Sequence, residues 1–163
     1  MAADRFAVGR HVVSPDELGC NDPIIQPQTA IIDAMSEPTL NYVACPDAHG
    51  GHRMAYWEWG DPANPHVVVC GHGLSRQGRD FDVLAAALCA SVRVVCPDVA
   101  GRGQSDWLKD PMEYQIPVYA ADMLALIAHV KPATLDWVGT SMGGLIGMVL
   151  AGQPDLPLPA PVR

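Results

Sequence analysis

TLDWVGTSMGGLIGMVLA, residues 134–151, changes character at its middle. Thr134 to Gly139 is a short apolar run of strand length, whereas Met142 to Ala151 carries no proline and reads as a helix. Between them, Gly139-Thr140-Ser141-Met142-Gly143 sets a serine between two glycines at a strand-to-helix turn. A turn this tight holds the serine in a strained backbone conformation. Side chains two residues to either side would clash, so Gly139 and Gly143 are required. The turn pushes the Ser141 hydroxyl toward solvent. It also aims the first helical N–H groups, beginning with Met142, at any oxyanion forming beside that hydroxyl. The plainer alternative is a glycine-rich turn whose serine caps the helix. A phosphate-binding loop fits less well: Gly139, Gly143 and Gly144 match neither G-x-G-x-x-G nor a P-loop with its lysine, and Gly71-x-Gly73 and Gly101-x-Gly103 lack a third glycine.

Upstream, the same alternation repeats. Leu40 to Ala44 and Met54 to Trp59 flank Gly50-Gly51 and read as an antiparallel hairpin. Val67 to Cys70 is a buried strand. Phe81, Leu84, Ala85 and Leu88 recur at helical spacing, with Asp80 placed to cap. VRVVCPD is another apolar strand, stopped by Pro97. Tyr119, Met123, Leu126, Ile127 and Val130 mark one face of a helix entered at Pro117 and ended before Pro132. Three strand–helix alternations follow the hairpin, and their strands are apolar throughout, as burial on both faces of a parallel sheet demands. The fold class is α/β: a mostly parallel sheet with flanking helices.

The chain has 163 residues, enough for one domain with a core, and its 18 acidic against 10 basic residues give a net charge of -8. No Lys/Arg cluster tracks a phosphate backbone, so nucleic acid is not an expected partner. Tyr119 to Val130, interrupted by Asp122 and His129, falls short of the roughly 20 apolar residues a bilayer span needs, and no membrane association is expected. Cys20, Cys45, Cys70, Cys89 and Cys96 form no C-x-x-C pair. They read as small core hydrophobes with free thiols in a reducing, cytoplasmic compartment, and their spacing supports no zinc site. Residues 1–34 carry Pro15, Pro23 and Pro27 without sustained periodicity, and are expected to be a poorly ordered extension with no secretory signal. Met35 reads as the start of a domain over residues 35–152, and residues 153–163 as a proline-rich tail.

With these elements placed, the chain resembles the α/β-hydrolase family. HGL at His72 to Leu74 resembles its oxyanion loop, DVAGRGQSD its D-x-x-G-x-G-x-S stretch, and GTSMGG its nucleophile elbow; the likeness covers Leu40 to about Gly152. The resemblance implies that Ser141 is the nucleophile and that the backbone N–H groups of Leu74 and Met142 form the oxyanion hole. It implies that His72 and Gly73 shape the loop, His72 not acting as the base, and that Asp98, Gly101, Gly103 and Ser105 hold the loop after the fourth strand. Serine in place of aspartate points to ester or acyl chemistry on a small-molecule substrate. That chemistry calls for no metal or organic cofactor.

The family supplies its triad in the order Ser, acid, His, yet all six histidines precede Ser141 and only Asp155 follows it among the acids. His129, at the end of a helix, reads as a favourable charge there. The prolines at 154, 157, 159 and 161 rule out a central strand. The expectation is therefore an α/β-hydrolase-like sheet truncated after the helix that follows Ser141, leaving the Ser141 strand as an open edge. Two readings stand: a serine hydrolase lacking its acid and histidine, and a non-catalytic fragment or binding module. Acyl transfer, perhydrolysis and carbon–carbon hydrolysis on the same fold are not separated from the first. Oligomeric state is not legible.

Overall fold

The computed structural model describes residues 37–153 and 155–163. The expectations for residues 1–34 and for Met35 lie outside the described residues. In chain order the elements are β1 (Thr39–Cys45), β2 (His52–Trp59), β3 (His66–Gly71), α1 (Asp82–Leu88), β4 (Arg93–Pro97), α2 (Ile116–Val130), β5 (Thr134–Gly139) and α3 (Met142–Ala151). Single 3₁₀ turns lie at Gly78–Phe81 and Pro111–Glu113.

One five-stranded sheet runs in the order β1-β2-β4-β3-β5. β1 pairs antiparallel with β2 from Thr39 opposite Glu58 to Cys45 opposite His52, across the Gly50-Gly51 turn read from sequence. β2 joins β4 antiparallel, and β3 lies parallel to both β4 and β5. The sheet is thus mixed, its parallel part confined to β4-β3-β5. The chain leaves β3 for β4 on one side and then crosses to β5 on the other. The carboxyl ends of β3 and β5 therefore meet where strand order reverses, the place where open α/β sheets bind ligands.

Continuous apolar strands are explained by burial on both faces. Val67, Val69 and Val95 join Met123, Leu126, Ile127 and Ile146 of α2 and α3 in one cluster, while Val68, Cys70, Val94 and Cys96 join Phe81 and Ala85 in another. Period-two alternation thus assigns residues to two cores instead of to core and solvent. Helix α2 buries the expected face, plus Asp122, and ends at Lys131 in the left-handed conformation (φ 50°) before Pro132.

Two expectations are corrected. Asp80 does not cap α1: it sits inside the preceding 3₁₀ turn, and its carboxylate accepts from the Arg76 guanidinium at 2.6 and 3.0 Å. The β5 edge is not open along its whole length. Val162 pairs in parallel with Leu135, Arg163 N–H donates to Leu135 O at 3.0 Å, and Trp137 N–H donates to Arg163 O at 2.9 Å. Prolines bar the tail from a regular ladder, but Val162 and Arg163 escape that restriction, and Ala160, Leu156 and Leu158 fill the adjoining core.

Asp136 ties this edge together. Its carboxylate meets His66 Nε2 at 2.5 Å and Arg163 Nε at 3.2 Å, and the His66 hydrogen bond, followed by the Arg163 charge, holds its pKa below the ordinary 3.8. A carboxyl that binds its proton less tightly when folded adds stability above the unfolded value, and that contribution is lost as pH falls through the folded one. Urea midpoints measured stepwise from pH 5 to about pH 2 should therefore fall less steeply for Asp136→Asn than for the wild type. Parallel curves would mean that these contacts are fully screened at the surface.

Candidate functional site

The register places Gly71 of β3 opposite Gly139 of β5, and Thr140 N–H donates to Gly71 O at 3.0 Å. The turn into α3 is thereby pinned to the end of the central strand. Ser141 adopts φ 52°, ψ -113°, a backbone conformation that costs a non-glycine residue about 1–3 kcal/mol. Such strain persists only where the surroundings impose it. Here a Cβ on Gly139 would lie 2.5 Å from Gly144 N, and one on Gly143 would lie 2.0 Å from Gly71 O.

Ser141 occupies the N-cap position of α3, yet its side chain makes no capping hydrogen bond, and the residue is exposed. The capping alternative is thus removed, because a capping hydroxyl turns back onto the N–H of the first helical turn. Beside Ser141 opens a cavity of about 480 Å³ lined by Leu74, Tyr114, Gln115, Ile116, Tyr119, Met142 and Leu145. The N–H groups of Leu74 and Met142 have no acceptor among the described residues. Met142 starts α3, so its N–H also carries the positive end of the helix dipole.

Behind the cavity, His72 is fully buried. Its Nδ1–H donates to Gly73 O at 2.7 Å, and its Nε2 accepts from Val99 N–H at 2.9 Å. Burial lowers its pKa below that of an ordinary imidazole, against the opposing pull of the Gly73 carbonyl. With both ring nitrogens engaged and the ring neutral, His72 has no free lone pair to offer Ser141. It ties the loop after β3 to the loop after β4 instead. Gly73 faces the turn after β5: a Cβ there would lie 3.7 Å from Thr140 O and 3.8 Å from Ser141 Cβ.

Asp98, also buried, accepts Gly78 N–H at 2.6 Å, Gln104 N–H at 2.8 Å and Trp57 Nε1–H at 3.3 Å. Its backbone carbonyl accepts the Ser105 hydroxyl, which in turn accepts Ala55 N–H at 2.8 Å. Gly103 must remain bare, because its Cβ would meet Asp98 Oδ2 at 2.1 Å. The Asp98 carboxylate thus holds two backbone N–H groups and the Trp57 indole of β2, and it does not line the cavity.

Several residues around the site were not singled out from the sequence. Arg102 donates to Leu74 O at 3.1 Å, Ala100 O at 2.7 Å and Tyr119 Oη at 3.0 Å, and stacks over Tyr114 and Tyr119. It thereby anchors the segment that presents Leu74 N–H. Tyr114 and Gln115 follow the Pro111–Glu113 turn and Ile116 begins α2, a stretch whose sequence carries no functional motif, and only folding places them beside Ser141. None of the cavity's described residues is a histidine, aspartate or glutamate.

Comparison with known proteins agrees with this arrangement. The family described as alpha/beta hydrolase fold matches residues 65–163, so the match runs through the proline-rich tail. A curated relative, the 3-hydroxybutyrate-oligomer hydrolase of Cupriavidus necator, is 60% identical over 123 residues, covering 76% of this chain and 42% of its own length. A solved α/β hydrolase from Novosphingobium aromaticivorans superposes with a TM-score of 0.66 at 38% identity, over 79% of this chain and 45% of its own. A further solved structure, from Rickettsia typhi, gives 0.67 at 36% identity over 69% of this chain and 43% of its own. The chain thus spans less than half the length of each of these proteins.

Proposed function

The chain belongs to the α/β-hydrolase fold family, and from that premise we propose that it carries the nucleophile and oxyanion-hole part of a serine hydrolase acting on esters of short hydroxy acids. The observation that carries the reading is Ser141: strained, exposed, uncapped, and seated beside the N–H groups of Leu74 and Met142. In the proposed reaction Ser141 Oγ attacks the ester carbonyl and gives its proton to solvent water, since no base lines the cavity among the described residues. The carbonyl oxygen gains negative charge and is held by the two N–H donors. Collapse expels the alcohol as the acyl-enzyme forms, and water then releases the acid.

The substrate class is supported by the 60% identity to a 3-hydroxybutyrate-oligomer hydrolase, and the cavity is compatible with it. Ile116, Leu145 and the rings of Tyr114 and Tyr119 suit short alkyl branches, and Gln115 offers an amide to an ester or terminal carboxylate. The described residues at the cavity supply no general base. By comparison with triad knockouts elsewhere, this leaves about 10³–10⁴ of acceleration over water from the hole and binding. That favours, as the second reading, a chain that binds such esters without turning them over efficiently.

A competition experiment tests the proposal. A fluorophosphonate probe should label Ser141 slowly, and linear 3-hydroxybutyrate oligomers should slow the labelling while equally long oligosaccharides do not. Labelling that the oligomers leave unchanged would sink the substrate assignment. Failure of the folded chain to label at all would leave binding without nucleophilic chemistry.

A further inference from the structure

Away from Ser141, the hairpin and α2 bring together three side chains that nothing in their sequence spacing connects. Cys45 ends β1, His52 begins β2 and Asp122 lies mid-α2. All three are buried, and their donor atoms lie within 4.8 Å of one another. We propose that Cys45, His52 and Asp122 bind a divalent metal ion of the zinc type.

The donor set itself is the first argument, since thiolate, imidazole and carboxylate are the side chains zinc takes. Geometry is the second. His52 Nε2 stands 3.1 Å from Asp122 Oδ2, close to the edge of about 3.3 Å between two ligands that each sit about 2.0–2.1 Å from a tetrahedral zinc. The two atoms need to part by only about 0.2 Å to seat an ion between them.

The surroundings of His52 form the third argument. Its Nδ1–H donates to Asp47 Oδ2 at 3.1 Å, while Asp47 Oδ1 accepts the N–H groups of His49 and Gly51 at 2.7 Å each. A carboxylate on the far nitrogen is what orients metal-bound histidines and fixes the tautomer that frees Nε2. The fourth argument is an unsatisfied group. Asp122 Oδ1 is buried without a hydrogen-bond partner among the described residues, a costly state for a carboxylate. An imidazolium bridging Asp47 and Asp122 would explain the two His52 contacts. It would still leave Asp122 Oδ1 without a close hydrogen-bond partner among the described residues, while the Cys45 thiol lies against the Asp122 carboxylate and reaches its backbone carbonyl at 3.9 Å.

Charge closes as well: one thiolate and one carboxylate neutralise a dication, and the thiol proton passes to solvent on binding. A cavity of about 290 Å³ between Gly50, Gly51 and Arg53 reaches Cys45 and His52, giving a route in and room for water as a fourth ligand. Sequence reading grouped Cys45 with the core thiols because the motif test asks for short spacing, whereas these ligands come from three elements.

Cobalt(II) tests the site in the full chain. After chelator treatment and reloading, one equivalent should survive gel filtration, with tetrahedral visible bands and a near-ultraviolet thiolate-to-cobalt band that zinc abolishes. Folded Cys45→Ser should lose the thiolate band, and Asp122→Asn should bind at least about tenfold more weakly. Cys20→Ser and Cys89→Ser should keep the full spectrum. Weak octahedral absorption in the wild type, or a thiolate band that persists in folded Cys45→Ser, overturns the proposal. Should the site variants fail to fold by circular dichroism, the wild-type spectrum and the two retained-band variants decide it.

Discussion

Gly143→Ala is expected to leave little folded protein. The added methyl would sit 2.0 Å from the carbonyl oxygen of Gly71 and 2.3 Å from its carbon. Both are backbone atoms of β3, the strand with parallel neighbours on either side. Overpacking costs about 1–3 kcal/mol where side chains can yield. Here the elbow must lift off the sheet, breaking the Thr140-to-Gly71 hydrogen bond and the Gly71–Gly139 register. A loss of about 4 kcal/mol or more follows, a large part of the roughly 5–15 kcal/mol a domain has. Gly144→Ala is the matched control. Its methyl would find its nearest neighbour, Gly139 O, at an ordinary 3.5 Å, and helix propensity favours alanine by up to about 1 kcal/mol. Urea unfolding of the three proteins reads the difference. A Gly143→Ala midpoint close to that of the wild type would show that the elbow does not rest on Gly71.

Ser141→Ala should abolish fluorophosphonate labelling at this position while leaving the fold intact. No side-chain hydrogen bond of Ser141 supports α3, so removing the hydroxyl breaks no cap and the unfolding midpoint should barely move. Loss of the attacking oxygen removes the only atom to which the probe can bond at this position, so the effect on labelling there is total. Ser141→Gly should also lose the label, yet gain stability. Glycine relieves the cost of φ 52°, partly offset by the greater entropy of glycine in the unfolded chain, for a net gain of about 1 kcal/mol. Mass mapping of the adduct and a thermal melt of each variant read both effects. A label of undiminished intensity in Ser141→Ala, mapped to another serine, would remove the nucleophile assignment.

Much of the architecture was legible because local chemistry and global fold agree. Five apolar segments of strand length and the helical spacings of Tyr119, Met123, Leu126, Ile127 and Val130 placed every strand and both longer helices within a residue or two. The elbow was legible for a stronger reason: a serine with φ above zero tolerates only small neighbours, and a steric requirement of that kind is written directly in Gly139 and Gly143. Details that depend on a second partner were not. Asp80 carries a good capping side chain, but Arg76, four residues earlier, claims it. Gly144 and Gly147 both leave α3 without a side chain, but they do not play the same part. Only Gly147 proves to be a packing glycine, its α-carbon lying under the Trp137 indole, where a Cβ would approach to 2.4 Å.

Taken alone, the chain's order of residues determined the α/β class, the position of the turn and the identity of the exposed serine, since each depends on periodicity or sterics within about ten neighbouring residues. Tertiary structure decided what lies across from them. It set the reversal of strand order at β3, the two engaged nitrogens of His72, and the tyrosines and Arg102 around the cavity. It placed Val162 against Leu135, and it brought Cys45, His52 and Asp122 together from positions up to 77 residues apart. Contacts across such separations are selected by burial and pairing in the whole sheet, which no local pattern encodes.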